Sequence, residues 1–172
     1  MKRADFSDLS KILEAFSLEA VSDEFYKDFK NSFDDLASSV QGTNDISLKQ
    51  DLALLFAIRI IFLGFVQKKG WLGNNSKFLQ DYWGEYKKSC NNDTFYKEWL
   101  EPLFFEALST PPGHKVSYGH APFSNKTQDV LQMAPYLNGE LFKRKQNIDD
   151  HSLWIPDDPI SNFFEFLFQY NF

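Results

Sequence analysis

Asp81, Glu85 and Lys87 are the nearest approach in this sequence to a metal-dependent nuclease centre. In such a centre a carboxylate pair holds a divalent cation while a lysine polarises the attacked phosphate, and Glu85-Tyr86-Lys87 supplies a Glu-x-Lys half. That centre projects from neighbouring strands, whereas these residues fall in a helical pattern, so solvent-facing helix charge is their expected role. The histidines offer little more. His114 and His120 share one irregular stretch, His151 stands apart, and no carboxylate or cysteine lies between the first two to complete a metal set. Cys90 follows Lys87 and Lys88, which favour a thiolate, but no histidine is close enough in sequence to act as its base, and a partly buried free thiol is expected. Thr110-Pro111-Pro112-Gly113 lacks the preceding Asn and following aromatic of a Pro-Pro catalytic loop. With no glycine-rich loop after a strand, no catalytic, cofactor-binding or metal-binding residue is assigned.

Three basic clusters could neutralise phosphates and are the candidates for contact with a DNA backbone: Lys68-Lys69, Lys87-Lys88 and Lys143-Arg144-Lys145. The last follows Asn138-Gly139, where side chains at a turn would reach outward. Lys68 and Lys69 have a second explanation, since cations are favoured in the last turn of a helix. Arg59 differs from all of these. It is the lone charge in the apolar run Leu52 to Val66, and a buried salt bridge to a carboxylate such as Glu98 or Glu106 is its expected structural role.

The elements that must position these residues sit in 172 residues of ordinary soluble composition, 43% hydrophobic and 24% charged. One helical domain over 1–172 is expected. Aromatics are the exception at 17%, led by 19 phenylalanines, so either the core is Phe-rich or part of the surface lies against another domain. A formal charge of -6 excludes a chain that is basic throughout, leaving only local patches for nucleic acid. A single cysteine excludes an internal disulfide framework and suits a reducing, cytoplasmic compartment. No signal peptide is visible, and the apolar run with Arg59 in its middle is too short to span a membrane.

The periodicity predicts a mainly α fold. SDLSKILEAF near the start is a short amphipathic segment, and from Ser22 onward Phe25, Phe29, Phe33, Leu36 and Val40 form a helical stripe. Ser47 with Gln50 resembles a capping box before a helix from about Leu48 to Lys69, closed by Gly70. Ser76 should cap a helix through Lys88, and NNDT at 91–94 should open another, FYKEWLEPLFFEALS, kinked near Trp99 to Glu101 by Pro102. Residues 110–127 read as an irregular loop. Near 133–142 a short irregular or two-stranded element is expected, shaped structurally by Pro135, Asn138 and Gly139. Asp158 should cap a last helix with Pro159 at its first position. Phe163, Phe164, Phe166, Leu167, Phe168, Tyr170 and Phe172 leave that helix few polar positions, and ending on it the chain reads as cut from something longer.

Four stretches carry a resemblance in their order. RIIFLGFVQKKGWL at 59–72, PLFFEAL at 102–108, PYLNGELF at 135–142 and IPDDPISNFFEFLFQYNF at 155–172 resemble the region just before the methyltransferase domain of large single-chain type IIG and IIL restriction-modification proteins. Related phage-defence DNA adenine methylases share this region. LEAFSLEAVSDEFYKDFKNSFDDL at 13–36 is similar to its helical opening, while Glu140 stands where a second glycine is common and Gly64 where an aromatic is. The resemblance implies a connector between an upstream nuclease domain and a downstream adenine methyltransferase. It implies S-adenosylmethionine and a divalent metal for the parent protein, neither for this segment, and DNA and the two adjacent domains as partners. The cofactor loop Phe-x-Gly-x-Gly and the adenine loop Asn-Pro-Pro-aromatic are absent here. The alternative from the residues alone is a free-standing helical adaptor that binds a protein through an aromatic surface.

Overall fold

The computed structural model describes residues 23–111, 113–115, 122–137 and 139–170. The expected helix SDLSKILEAF, together with His120, Asn138 and Phe172, lies outside these residues. The mainly α class read from the sequence is what the structure shows: its elements are helices, and the described residues hold no strand beyond a single bridge between Gln41 and Trp154. They fall into two compact units, one of residues up to Phe62 together with those from Gln146, the other Leu63–Lys145.

In the first unit the predicted stripe forms helix α1, Asp23–Ser39, with Phe25, Phe29, Phe33 and Leu36 buried. Helix α2, Ile46–Lys68, begins here and continues into the second unit. Its start corrects the capping expectation. Asp45, not Ser47, is the cap, its Oδ1 accepting from the Ser47 and Leu48 N–H groups at 2.9 and 3.2 Å. Helix α5, Asp157–Gln169, opens one residue before the expected Asp158 cap, after Pro156, so Pro159 occupies the third position of the first turn rather than the first.

Helices α1 and α5 run antiparallel, with Phe25 against Phe166 at 5.4 Å and Phe29 against Phe163 at 6.4 Å between ring centroids. Phe163 also meets Phe56 of α2 at 5.8 Å. Burying each such ring contributes ~1.5–3 kcal/mol relative to leaving it in water. Helix α5 is therefore not greasy all round. Asp158, Asn162, Glu165 and Gln169, spaced four, three and four, form an exposed polar face, and Phe163, Phe164, Phe166 and Leu167 are buried. The rim is tied by Tyr170 Oη donating to Asp28 at 2.8 Å and Asn162 Nδ2 donating to Asp35 at 3.1 Å. Gly42, with φ +92°, lets the bridge close: a Cβ there would stand 2.0 Å from the Ser152 carbonyl oxygen.

The second unit is built on a different aromatic cluster. Helix α3, Phe78–Lys87, buries Tyr82 and Tyr86 against Phe95 and Trp99, with Tyr82 to Trp99 at 5.0 Å and Trp99 to Phe123 at 4.9 Å. The two phenols are bonded as burial requires: Tyr82 Oη donates to the Trp99 carbonyl at 2.7 Å, and Tyr86 Oη accepts from the Thr94 N–H at 3.1 Å. Ser76 does not cap α3, which starts after Lys77 with no side-chain cap; Asn75 Oδ1 accepts the Lys77 N–H at 2.9 Å in the turn before it. Around Pro102 the chain widens into π-helical turns, Phe95–Leu100 and Leu103–Ala107, with Glu101 N–H reaching back to Tyr96 O and Leu108 N–H to Leu103 O. Proline has no N–H to give and crowds the turn before it, and longer-range bonds absorb the misfit.

Helix α4, Asn125–Met133, is capped by Ser124 and stopped by Pro135, which holds Ala134 extended at ψ 144°. Residues 134–137 are irregular, and past Gly139 the chain makes a 3-10 turn, Glu140–Phe142.

Candidate nucleic-acid interface

The basic triplet lies just past the 3-10 turn, and its charges are already matched. Glu140 accepts from Lys143 Nζ at 2.8 Å and from Lys145 Nζ at 3.5 Å. These cations hold the Glu140 carboxyl below its ordinary range, the Lys143 hydrogen bond being the largest influence, and the same contact raises Lys143. Arg144 bonds Glu101 at 2.6 Å, and its guanidinium lies over the Phe105 ring at 4.2 Å from the centroid. Glu101 also accepts from Lys97 Nζ at 3.0 Å. Burial pushes the nearby Glu106 carboxyl up; Arg144 opposes that shift and Glu101 adds to it. A phosphate approaching this cluster would have to replace Glu140 on the two lysines, while Arg144 is held by an ion pair and a ring.

Lys87 and Lys88 close α3, with the Lys87 ammonium 5.4 Å from the Trp83 centroid and both side chains exposed. Lys68 and Lys69 are exposed at the end of α2, where Gly70 takes the left-handed φ of +76° that its sequence position predicts. Of these clusters, 68–69 has the most one-sided charge. The sequence between Asp51 and Asp81 contains no acidic residue at all, and Lys77 adds a further exposed cation to the same stretch. Charge segregation of this kind was open to inspection in the sequence, as was Glu140 three residues before Lys143.

Arg59 does lie in a buried ion pair, but with a different partner from those expected. Nη1 and Nη2 bond Asp149 Oδ1 and Oδ2 at 2.6 and 2.8 Å, with neither side chain exposed. Glu98 is exposed, and Glu106 neighbours Arg144. Asp149 is 90 residues from Arg59, a tertiary pairing that no local pattern announces.

The nuclease-like residues have structural employment. Glu85 accepts from Ser124 Oγ at 3.1 Å, Thr127 Oγ1 at 2.6 Å and the Ser124 N–H, fastening α4 to α3, and Asp81 accepts from Asn75 at 2.8 Å. Among the described residues no group of three or more His, Cys, Asp or Glu converges to hold a metal ion. Cys90 is exposed, not partly buried as expected, in a turn with φ +58°. Of the remaining structural candidates, Pro135 ends α4, and Gly139 is extended at φ -130°, so it makes no glycine-dependent turn. Lys115 reaches the Leu131 and Ala134 carbonyls at the end of α4, and burial lowers its pKa. Between α1 and α5 a polar recess of about 300 Å³, lined in part by Asp28, Asn31, Glu165 and Gln169, has the wrong sign for phosphate. Among the described residues no helix is long and apolar enough to cross a membrane.

Against known proteins, the chain is 31% identical over 125 residues to a protein of Methanocaldococcus jannaschii provisionally named a type II restriction enzyme and methyltransferase. The match takes in 72% of this chain and 10% of the relative, so the chain spans about a tenth of that protein's length. No family model matches the chain, and no solved structure matches it.

Proposed function

We propose that this chain is a non-catalytic helical segment of a type II restriction-modification protein, orienting the nuclease and methylase domains on either side of it and touching the DNA backbone. The observation that carries this reading is the similarity to the archaeal protein across most of the chain, coupled to a fold whose obvious chemical groups are spent on structure. Glu85 fastens a helix, Arg59 and Asp149 neutralise each other in a core, and Glu140 occupies two lysines. In the parent, methylation of adenine would draw on S-adenosylmethionine and cleavage on a divalent metal. The described residues fit neither: the acids do not converge, and the sequence has no glycine-rich loop for the cofactor. Adenine methylation also needs a loop to hold a flipped base, and the sequence carries no Asn-Pro-Pro-aromatic motif for it. The adaptor reading loses part of its support because Phe163, Phe164 and Phe166 of α5 are buried, while Trp71, Tyr26 and Tyr136 stay exposed.

Two assays test this. The purified chain, given labelled S-adenosylmethionine, magnesium and DNA, should neither transfer methyl groups nor cut; transfer by the chain alone would refute the assignment. In the parent protein, replacing Lys143, Arg144 and Lys145 by Ala should weaken binding to cognate and random DNA alike. Only the two lysines can exchange Glu140 for phosphate, so the slope of log affinity against log salt should flatten by at most ~1.8, about 0.9 per contact. An unchanged slope would assign the cluster to solvated surface, and a loss confined to cognate DNA would mean that it reads bases.

A further inference from the structure

The acid-free stretch between Asp51 and Asp81 surrounds a closely bonded turn. Gly70 N–H donates to Gln67 O at 2.9 Å, Trp71 N–H to Val66 O at 3.2 Å, Asn74 N–H to Gly70 O at 2.9 Å and Asn75 N–H to Leu72 O at 3.1 Å. Leu72 is buried beneath it, and Gln67, also buried, accepts the Leu79 N–H at 2.9 Å, joining the end of α2 to the start of α3. Gly73, at φ +65°, presses on α4 so closely that a Cβ there would stand 2.6 Å from Val130 Cγ2. The backbone of this turn is fixed from several directions.

On that fixed backbone Trp71 is 50% exposed, whereas Trp99 is buried and Trp83 and Trp154 are half-buried. Leaving an indole in water forgoes the stabilisation that burial would bring, and here a rigid turn holds it out. Lys68, Lys69 and Lys77, which flank it in the sequence, are exposed, with no acidic residue in the turn, and the Lys69 ammonium lies 5.3 Å from the Phe65 ring centroid.

We propose that the turn 68–77 is a contact for single-stranded DNA, in which Trp71 stacks on an unpaired base and Lys68, Lys69 and Lys77 neutralise the neighbouring phosphates. This rests on the reading that the parent protein acts on DNA, and it names the surface and the form of DNA. Cations that follow a backbone, combined with a ring whose face any base can cover, hold a strand without reading its sequence. A paired duplex offers the lysines its phosphates but no free base face to the indole.

The test uses the 172-residue chain in low salt with end-labelled oligo-dT and a mixed-sequence duplex of equal length, followed by anisotropy and tryptophan emission. Oligo-dT should bind more tightly than the duplex and quench the emission. Trp71→Ala should abolish the quench and weaken oligo-dT binding about tenfold, within the ~1–3 kcal/mol range for a stacked base. Trp71→Phe should recover most of the affinity without the quench. Lys68→Gln with Lys69→Gln should keep the quench while lowering the salt slope by ~0.7 per lysine. Thermal melting of each variant checks that the fold is retained. Absence of binding, duplex binding as tight as oligo-dT binding, or an affinity indifferent to Trp71→Ala each overturns the proposal. Should affinity instead follow Lys143→Ala with Lys145→Ala, the backbone-contact reading stands and this surface fails.

Discussion

Replacing Asp149 by Ala should be the most damaging single change available in the first unit. Asp149 and Arg59 have fully buried side chains and two short parallel hydrogen bonds, so truncating the carboxylate strands a guanidinium where water cannot reach it. Breaking a buried pair in this way costs ~3–5 kcal/mol, far more than the pair itself contributes over an apolar substitute. With a urea dependence of ~2 kcal/mol per molar, the unfolding midpoint should fall by roughly 1.5–2.5 M. Far-UV circular dichroism in a urea titration measures this directly. Lys30 and Asp34 supply the internal comparison, since both are more than half exposed and bond at 2.9 Å along α1. Asp34→Ala should move the midpoint far less than Asp149→Ala, because solvent screens an exposed pair. A double replacement, Arg59→Met with Asp149→Leu, should be less destabilised than Asp149→Ala, because it leaves no lone charge behind. A loss below ~1 kcal/mol for Asp149→Ala, or a double replacement worse than the single, would refute the burial argument.

Three further outcomes follow from other sites. Burial raises the Glu106 pKa in the folded chain above its unfolded value, so its contribution to stability is complete below the ordinary carboxylate range and lost as pH rises through the raised value. Glu106→Gln should therefore gain on the native chain across that window and stay level on either side, as melting temperatures over a pH series would show. Gly73→Ala adds a Cβ at φ +65° against Val130 and should destabilise by ~1–3 kcal/mol; Val130→Ala in the same chain should recover part of this, measured by denaturant titration. Glu85→Ala removes the acceptor shared by Ser124 and Thr127, and should speed amide hydrogen exchange in the first turn of α4 with a cost of ~1–3 kcal/mol.

The sequence patterns that translated well were the ones with a local cause. The Phe25 to Val40 stripe, the apolar body of α2 and the left-handed Gly70 each depend on neighbours within a turn or two. Capping was less legible, because Ser, Asp and Asn compete for adjacent N–H groups; Asp45 prevailed over Ser47 by two residues, and α3 starts at Phe78 with no side-chain cap at all. The polar face of α5 was present at helical spacing but hidden by its count of phenylalanines. Long-range pairings had no local signal. Nothing near Arg59 points to Asp149, and nothing near Glu85 points to Ser124 and Thr127. At the candidate interface, sequence located the cations and the Glu140 near two of them, but not the occupation of Arg144, which depends on Glu101 reaching it across 43 residues.

The coding sequence beyond Phe172 tests the central claim most directly, since a connector has meaning only between the domains it joins. The account predicts an open frame that soon encodes Phe-x-Gly-x-Gly and then Asn-Pro-Pro followed by an aromatic. A stop codon immediately after Phe172 would contradict it and restore the free-standing adaptor.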